Sequence, residues 1–273
     1  MTTEQSRADS EFDQDTAIEQ VDDDHWTTRL STAWSIGSVP NGGYSSAPIV
    51  RALLARTGRP DPLSITAHFY RPTIGGMRAT IETTEHRAGR TFANASAVLS
   101  QDDKERTRCT GVFGELPAAS SGEVFTAPPP ALPPPEQCPR REPGVQGIVL
   151  PLMDMIDVHL APEAPEPGPD VPATIWGWVR FRDERSPDPL ALTMFADAFP
   201  PSALVIDDKI GWVPTLELTI HLRQRPVDGW ILASITSHDV QDRMLVEDVR
   251  LWDASGALVC QARQLAMRGQ RQA

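Results

Sequence analysis

A strand that occurs twice limits the folds open to this chain. Leu63-Ser-Ile-Thr-Ala-His68-Phe-Tyr-Arg-Pro72 matches Leu216-Glu-Leu-Thr-Ile-His221-Leu-Arg-Gln-Arg-Pro226. Both stretches alternate: Leu63, Ile65, Ala67 and Phe69 face one way, as do Leu216, Leu218, Ile220 and Leu222. Period-two alternation puts one face of a strand on a core and the other in polar surroundings. The flanking order repeats as well. In the first half a strand over Trp26–Ile36 and a turn at Asn41-Gly42-Gly43 lead into a helical period from Tyr44 to Thr57. Pro48 is expected near its first turn, and Gly58 and Pro60 end it. Strand signals follow at Leu63–Arg71, Met77–His86, Thr91–Gln101 and Arg106–Gly114. In the second half a strand over Ala173–Phe181 and a helix from Pro189 to about Ala198 precede strands at Val213–Arg223, Trp230–His238, Met244–Asp253 and Leu258–Met267. Helix then antiparallel strands, twice, is an α+β pattern from a duplicated domain.

Proline places the joint between the copies. About fifteen of the 26 prolines fall between Pro117 and Pro172, a density that favours extended segments over helix or central strand. The expected organisation is an acidic tail over 1–24, one unit over 25–116, a proline-rich linker over 117–147 and a second unit over 148–268. The tail carries nine of the acids and one arginine, so roughly −8 of the net charge of −12 lies there. Its composition predicts disorder and lacks the basic and apolar regions of a signal peptide. The acidic balance argues against a nucleic-acid partner, and no apolar run approaches the ~18 residues of a membrane span. Cys109, Cys138 and Cys260 are odd in number and widely spaced, which suits reduced thiols in a cytoplasmic protein.

Several stretches in this order resemble the bacterial thioesterase II (TesB-like) acyl-CoA thioesterases. In the first half they are Asn41-Gly-Gly-Tyr44, His68-Phe-Tyr-Arg-Pro-Thr73, Gly89-Arg-Thr-Phe92 and Gly111-Val-Phe-Gly114. In the second they are Ala196-Asp197, Pro214-Thr215-Leu-Glu-Leu-Thr219, Arg225-Pro226-x-x-Gly-Trp230 and Gly256-Ala-Leu-Val-Cys-Gln-Ala-Arg-Gln264. The resemblance implies a tandem, or double, hotdog: two long helices, each wrapped by a curved antiparallel sheet. It also implies acyl-CoA as substrate, no cofactor, no metal, and a homodimer or larger homo-oligomer.

Motifs for other chemistries are missing. There is no Gly-x-Ser-x-Gly elbow, no HExxH, no CxxC and no phosphate loop. Carried over by the resemblance, Asp197, Thr215 and Gln264 would hold and polarise a water. An ionised carboxylate takes its proton, and the amide and hydroxyl fix its orientation. Thr219, four residues on and assigned by alternation to the same face, competes with Thr215 for the hydroxyl role. Gly42, Gly43 and Tyr44 would bring the free N–H groups of a helix start to the developing oxyanion. Arg51, Arg56, Arg71, Arg87, Arg90, Arg223, Arg225 and Arg243 are candidates for a basic rim facing the CoA phosphates. A non-catalytic acyl-CoA-binding or scaffold protein on the same fold is the alternative. A hydratase needs an acid–base pair near a helix and ranks last, since neither helix carries a histidine.

Overall fold

The computed structural model of the chain describes residues 10–120, 125–142, 144–145, 148–162, 164–168, 170–206 and 213–268. Twelve strands form one antiparallel sheet: β1 (Glu19–Gln20), β2 (His25–Arg29), β3 (Asp61–Phe69), β4 (Arg78–Ala88), β5 (Ala93–Gln101), β6 (Lys104–Gly114), β7 (Ile156–Leu160), β8 (Ala173–Phe181), β9 (Thr215–Leu222), β10 (Ile231–Gln241), β11 (Met244–Trp252) and β12 (Leu258–Met267). Their spatial order is β1-β2-β4-β5-β6-β3-β9-β12-β11-β10-β8-β7. The run β2-β4-β5-β6-β3 is met again in reverse as β9-β12-β11-β10-β8, so the two halves join edge to edge through β3 and β9. That pairing leaves neither edge exposed. The register sets Thr66 against Thr219, with their hydroxyls 3.0 Å apart. These are the equivalent residues of the repeated strand. Asp61 and Arg225 tie the same junction with an ion pair of 2.8 Å.

The helices are unequal. α2 (Gly42–Thr57) begins where the Asn41 side chain accepts the Tyr44 N–H at 2.9 Å, and ends at Gly58, whose φ of 61° suits a glycine. Its residues from Gly43 to Val50 are all buried, so the helix runs through the core rather than along its surface. Because the helix starts at Gly42, Pro48 falls in the second turn rather than the first. α3 (Pro189–Phe195) has only seven residues, correcting the expectation of two long helices. Asp188 caps it, and Pro200 and Pro201, which supply no N–H, prevent its extension past Asp197.

Two other expectations fail. The strand expected over Trp26–Ile36 stops at Arg29; the buried Leu30 and Trp34 turn inward, and Ser35–Ile36 pairs with Val39–Pro40 in a small hairpin. Residues 10–24, expected to be disordered, are folded: α1 (Glu11–Asp15) is capped by Ser10 and plants a fully buried Phe12 in the core. Phe12 packs on Phe181 at 4.8 Å and Trp34 at 5.4 Å, and Phe181 packs on Phe195 at 4.7 Å. One aromatic provides the apolar area that the acids around it lack. The rest of the tail, 1–9, lies outside the described residues.

The proline-rich segment lies along the second half. The Trp178 indole donates to the Pro133 carbonyl at 3.0 Å, and the Arg225 amide to that of Pro117. Cys109 and Cys260 are buried free cysteines, and the buried Cys138 thiol reaches the Pro133 carbonyl at 3.6 Å. Among the described residues, no helix is long and apolar enough to cross a membrane.

Candidate active site

A cavity of about 340 Å3 opens at the joint between the halves, where β3 ends and β9 begins. Four of the residues picked from the sequence line it: Gly42, Asp197, Thr215 and Gln264. Each arrives on a different element. Gly42 opens α2, Asp197 follows α3, Thr215 opens β9, and Gln264 lies near the end of β12. Ile36, Val39, Phe69, Phe199, Leu216 and Met267 give the cavity an apolar wall, and Arg71 supplies a cation to its lining.

Asp197 sits on the first turn of α2. Its Oδ2 accepts the Gly43 N–H at 3.0 Å and the Asn41 side-chain amide at 2.9 Å; the same amide also reaches the Asp197 carbonyl at 2.7 Å. Both glycines are needed for this approach. A Cβ on Gly42 would lie 2.9 Å from Asp197 Oδ2, and one on Gly43 would lie 2.9 Å from the carbonyl oxygens of Thr193 and Met194. Burial pushes the Asp197 carboxyl up to about 6; the Gly43 and Gly42 amides and Asn41 oppose that, and the charge of Glu247 adds to it. The result is a base poised near neutral pH.

The remaining two polar residues are coupled. Thr215 Oγ1 donates to Gln264 Oε1 at 2.9 Å. Thr219 is not in the cavity: its hydroxyl contacts Thr66 and Glu217 at the joint. The sequence alternation assigned both threonines to one face, but the ladder between β9 and β12 slips between Thr215 and Glu217. The extra residue of that bulge reverses the facing of Thr215.

Three expectations need correction. Tyr44 is no part of the cavity: it is fully buried, stacks on Trp34 and bridges the Ser31 amide and the Asp15 carbonyl through its hydroxyl. The N–H groups at the start of α2 are not free, since Asp197 takes that of Gly43 and Asn41 that of Tyr44. The basic rim shrinks. Arg51, Arg56 and Arg225 are ion-paired to Asp13, Asp24 and Asp61. Arg87, Arg90 and Arg223 lie at the far end of the strands, leaving Arg71 and, beside Met244, Arg243 at the cavity's end.

Two contributors escaped the sequence reading. Asn41 both caps α2 and clamps Asp197. Glu247 is a buried carboxylate that accepts from the Gln264 amide. Its signal was legible, because Leu245, Glu247, Val249 and Leu251 form the inward row of β11 and an acid there breaks the pattern. Among the described residues no group of three His, Cys, Asp or Glu side chains is placed to hold a metal.

This architecture is matched by known proteins. Residues 30–114 match the family model of the acyl-CoA thioesterase N-terminal domain, and residues 129–268 that of the C-terminal domain. The chain belongs to the acyl-CoA thioesterase family. It is 30% identical over 263 residues to the uncharacterized protein Rv0499 of Mycobacterium tuberculosis, covering 87% of this chain and 89% of that one. A candidate thioesterase II from Thermobifida fusca superposes with a TM-score of 0.86 at 32% identity, over 96% of this chain and 98% of that one. A hot dog fold protein from Alicyclobacillus acidocaldarius does so at 0.84 and 22% identity, over 95% and 98% of the two chains. The fold is thus a hotdog fold with a large antiparallel sheet.

Proposed function

We propose that the chain is a double hotdog acyl-CoA thioesterase that hydrolyses a fatty or related acyl-CoA with a water positioned by Asp197, Thr215 and Gln264. The observation that carries this reading is the meeting of those three side chains, from three separate elements, on one largely apolar cavity. The acyl chain lies against the apolar wall, and the thioester lies beside Asp197 near the positive end of α2, whose dipole favours the developing oxyanion. The water's oxygen bonds to the thioester carbon while its proton passes to Asp197. The tetrahedral intermediate then expels the thiol, and the proton held by Asp197 goes to sulfur. The duplicated strand order, joined edge to edge in one sheet, supports a single site built from both halves, since Gly42 comes from one and the three polar side chains from the other.

Thiol release from a panel of acyl-CoAs tests this reading. Turnover for at least one chain length, abolished in Asp197→Ala, is expected. No hydrolysis above background for any of them, or full activity in Asp197→Ala, would overturn it; tight acyl-CoA binding without turnover would point to the binding protein instead.

A further inference from the structure

Glu247 stands directly across from Gln264 in the β11–β12 ladder and is 2% exposed. Its neighbours in the inward row, Leu245, Val249 and Leu251, are buried aliphatics. Among the described residues no cation lies within ion-pair distance of it. A buried carboxylate without a counter-charge costs several kcal/mol unless hydrogen bonds replace its water, and an aliphatic residue would fill the site without that penalty. Burial pushes the Glu247 carboxyl up, and hydrogen bonds from Ser202, Gln264 and Ser237 oppose that and favour its ionised form. Oε1 accepts the Ser202 amide at 2.6 Å and the Ser202 hydroxyl at 2.7 Å, and Oε2 accepts the Gln264 side-chain amide.

The consequence is directional. A carboxylate only accepts, so Gln264 must turn its NH2 to Glu247 and its carbonyl oxygen to Thr215. Thr215 therefore spends its one proton on Gln264, as the 2.9 Å contact records. Its oxygen is left as an acceptor facing the cavity. A water between Thr215 and Asp197 then donates both protons, one to each, and keeps a lone pair for the thioester carbon. We propose that Glu247 is a positioning residue that sets the direction of the hydrogen bonds running through Gln264 and Thr215 to the attacking water. This rests on the thioesterase reading and names a residue that acts on the water without touching it.

Glu247 has a second effect on the same water. Its charge is felt at the Asp197 carboxylate, while Arg71 lines the cavity from the segment after β3. Its negative charge raises the proton affinity of Asp197. A merely structural glutamate would leave the pH profile alone.

The test uses the full chain, acyl-CoA turnover and two variants. Glu247→Gln removes the charge and lets the Gln264 amide turn over. It is expected to lower kcat about tenfold or more with KM within about threefold, and to move the acid limb of the rate profile to lower pH. The double exchange Glu247→Gln with Gln264→Glu restores an amide donating to a carboxylate that still accepts from Thr215. It is expected to recover most of the lost kcat. Where the single variant does not fold, the exchange is compared with wild type and is expected within about tenfold of it. A folded Glu247→Gln with wild-type kcat and pH profile, or an exchange no better than the single variant or, without it, more than about tenfold below wild type, would overturn the proposal. If Asp197→Ala keeps full turnover, the hydrolase reading itself fails; if that variant is dead while Glu247→Gln is unaltered, only the positioning role falls.

Discussion

The start of α2 and the start of α3 occupy equivalent places in the two halves, and they have opposite fates. At the start of α2 a carboxylate, Asp197, sits on the helix amides beside an open cavity with two glycines below it. At the start of α3 the space is filled by the chain itself. Asp13 of α1 pairs with Arg51 and, at 2.7 Å, with Arg185, which in turn pairs with Asp188 at 2.7 Å. The buried Phe12 lies under the Arg185 guanidinium at 5.2 Å. The electrostatics diverge accordingly. The Asp197 carboxyl is pushed up to about 6 by burial. Asp13 feels burial too, but hydrogen bonds from Arg185 and Ser10 and the charges of Arg185 and Arg51 outweigh it and hold its carboxyl below the ordinary range. A duplicated scaffold thus has one end sealed by ion pairs and an aromatic plug, and the other holding an acid that has hydrogen bonds but, among the described residues, no ion pair. Strain of the second kind is what catalysis uses and stability does not.

This contrast can be broken in several ways. Phe12→Ala opens a cavity in the sealed end and is expected to lower unfolding free energy by about 3–5 kcal/mol, read by urea denaturation. A loss below about 1 kcal/mol would mean that the plug is ornamental. Thr215→Val keeps the shape of the open end but deletes the hydroxyl, and kcat is expected to fall roughly 10–100-fold, about 1.4–2.7 kcal/mol of barrier. The same change at Thr219, which lies at the joint, should leave kcat within about twofold. The two acids should also titrate with opposite signs. The raised Asp197 group adds stability that is complete below its unfolded value near 3.8 and is lost as pH rises through about 6. Asp197→Asn is therefore expected to gain about 1–2 kcal/mol over wild type at pH 8, and nothing at pH 3. The lowered Asp13 group adds stability above its unfolded value that is lost as pH falls through its folded one. Asp13→Asn should be less stable than wild type at pH 7, with the difference closing in acid. Equal signs for the two variants would refute the contrast.

Much of this was legible in the chain. The strand alternation located nine long strands, with Ala173–Phe181 and Leu258–Met267 matching the structure residue for residue. Asp197, Gln264 and Gly42 were placed by the ordered motifs of both halves, and the structure brings them to one cavity. What remained hidden depended on single residues acting against their surroundings. Phe12 orders a segment whose mean composition says disorder. The bulge after Thr215 turns one side chain against a pattern read as unbroken. Tyr44 sits one turn into a helix that is buried on all sides, where helical periodicity cannot tell cavity from core. Glu247 was visible as an acid in an apolar row, but its partners lie 45 and 17 residues away in the chain and meet it only in the sheet.

In the proposed reaction water attacks the thioester while Asp197 takes the proton. A single turnover with enzyme in excess over acyl-CoA, run in water enriched in oxygen-18, tests this at the bond that forms. Direct attack predicts one heavy oxygen in the carboxylate of the released acid and none in Asp197. Released acid without label, with the heavy oxygen recovered in the Asp197 side chain, would mean that the carboxylate itself attacked the substrate, and would contradict the account.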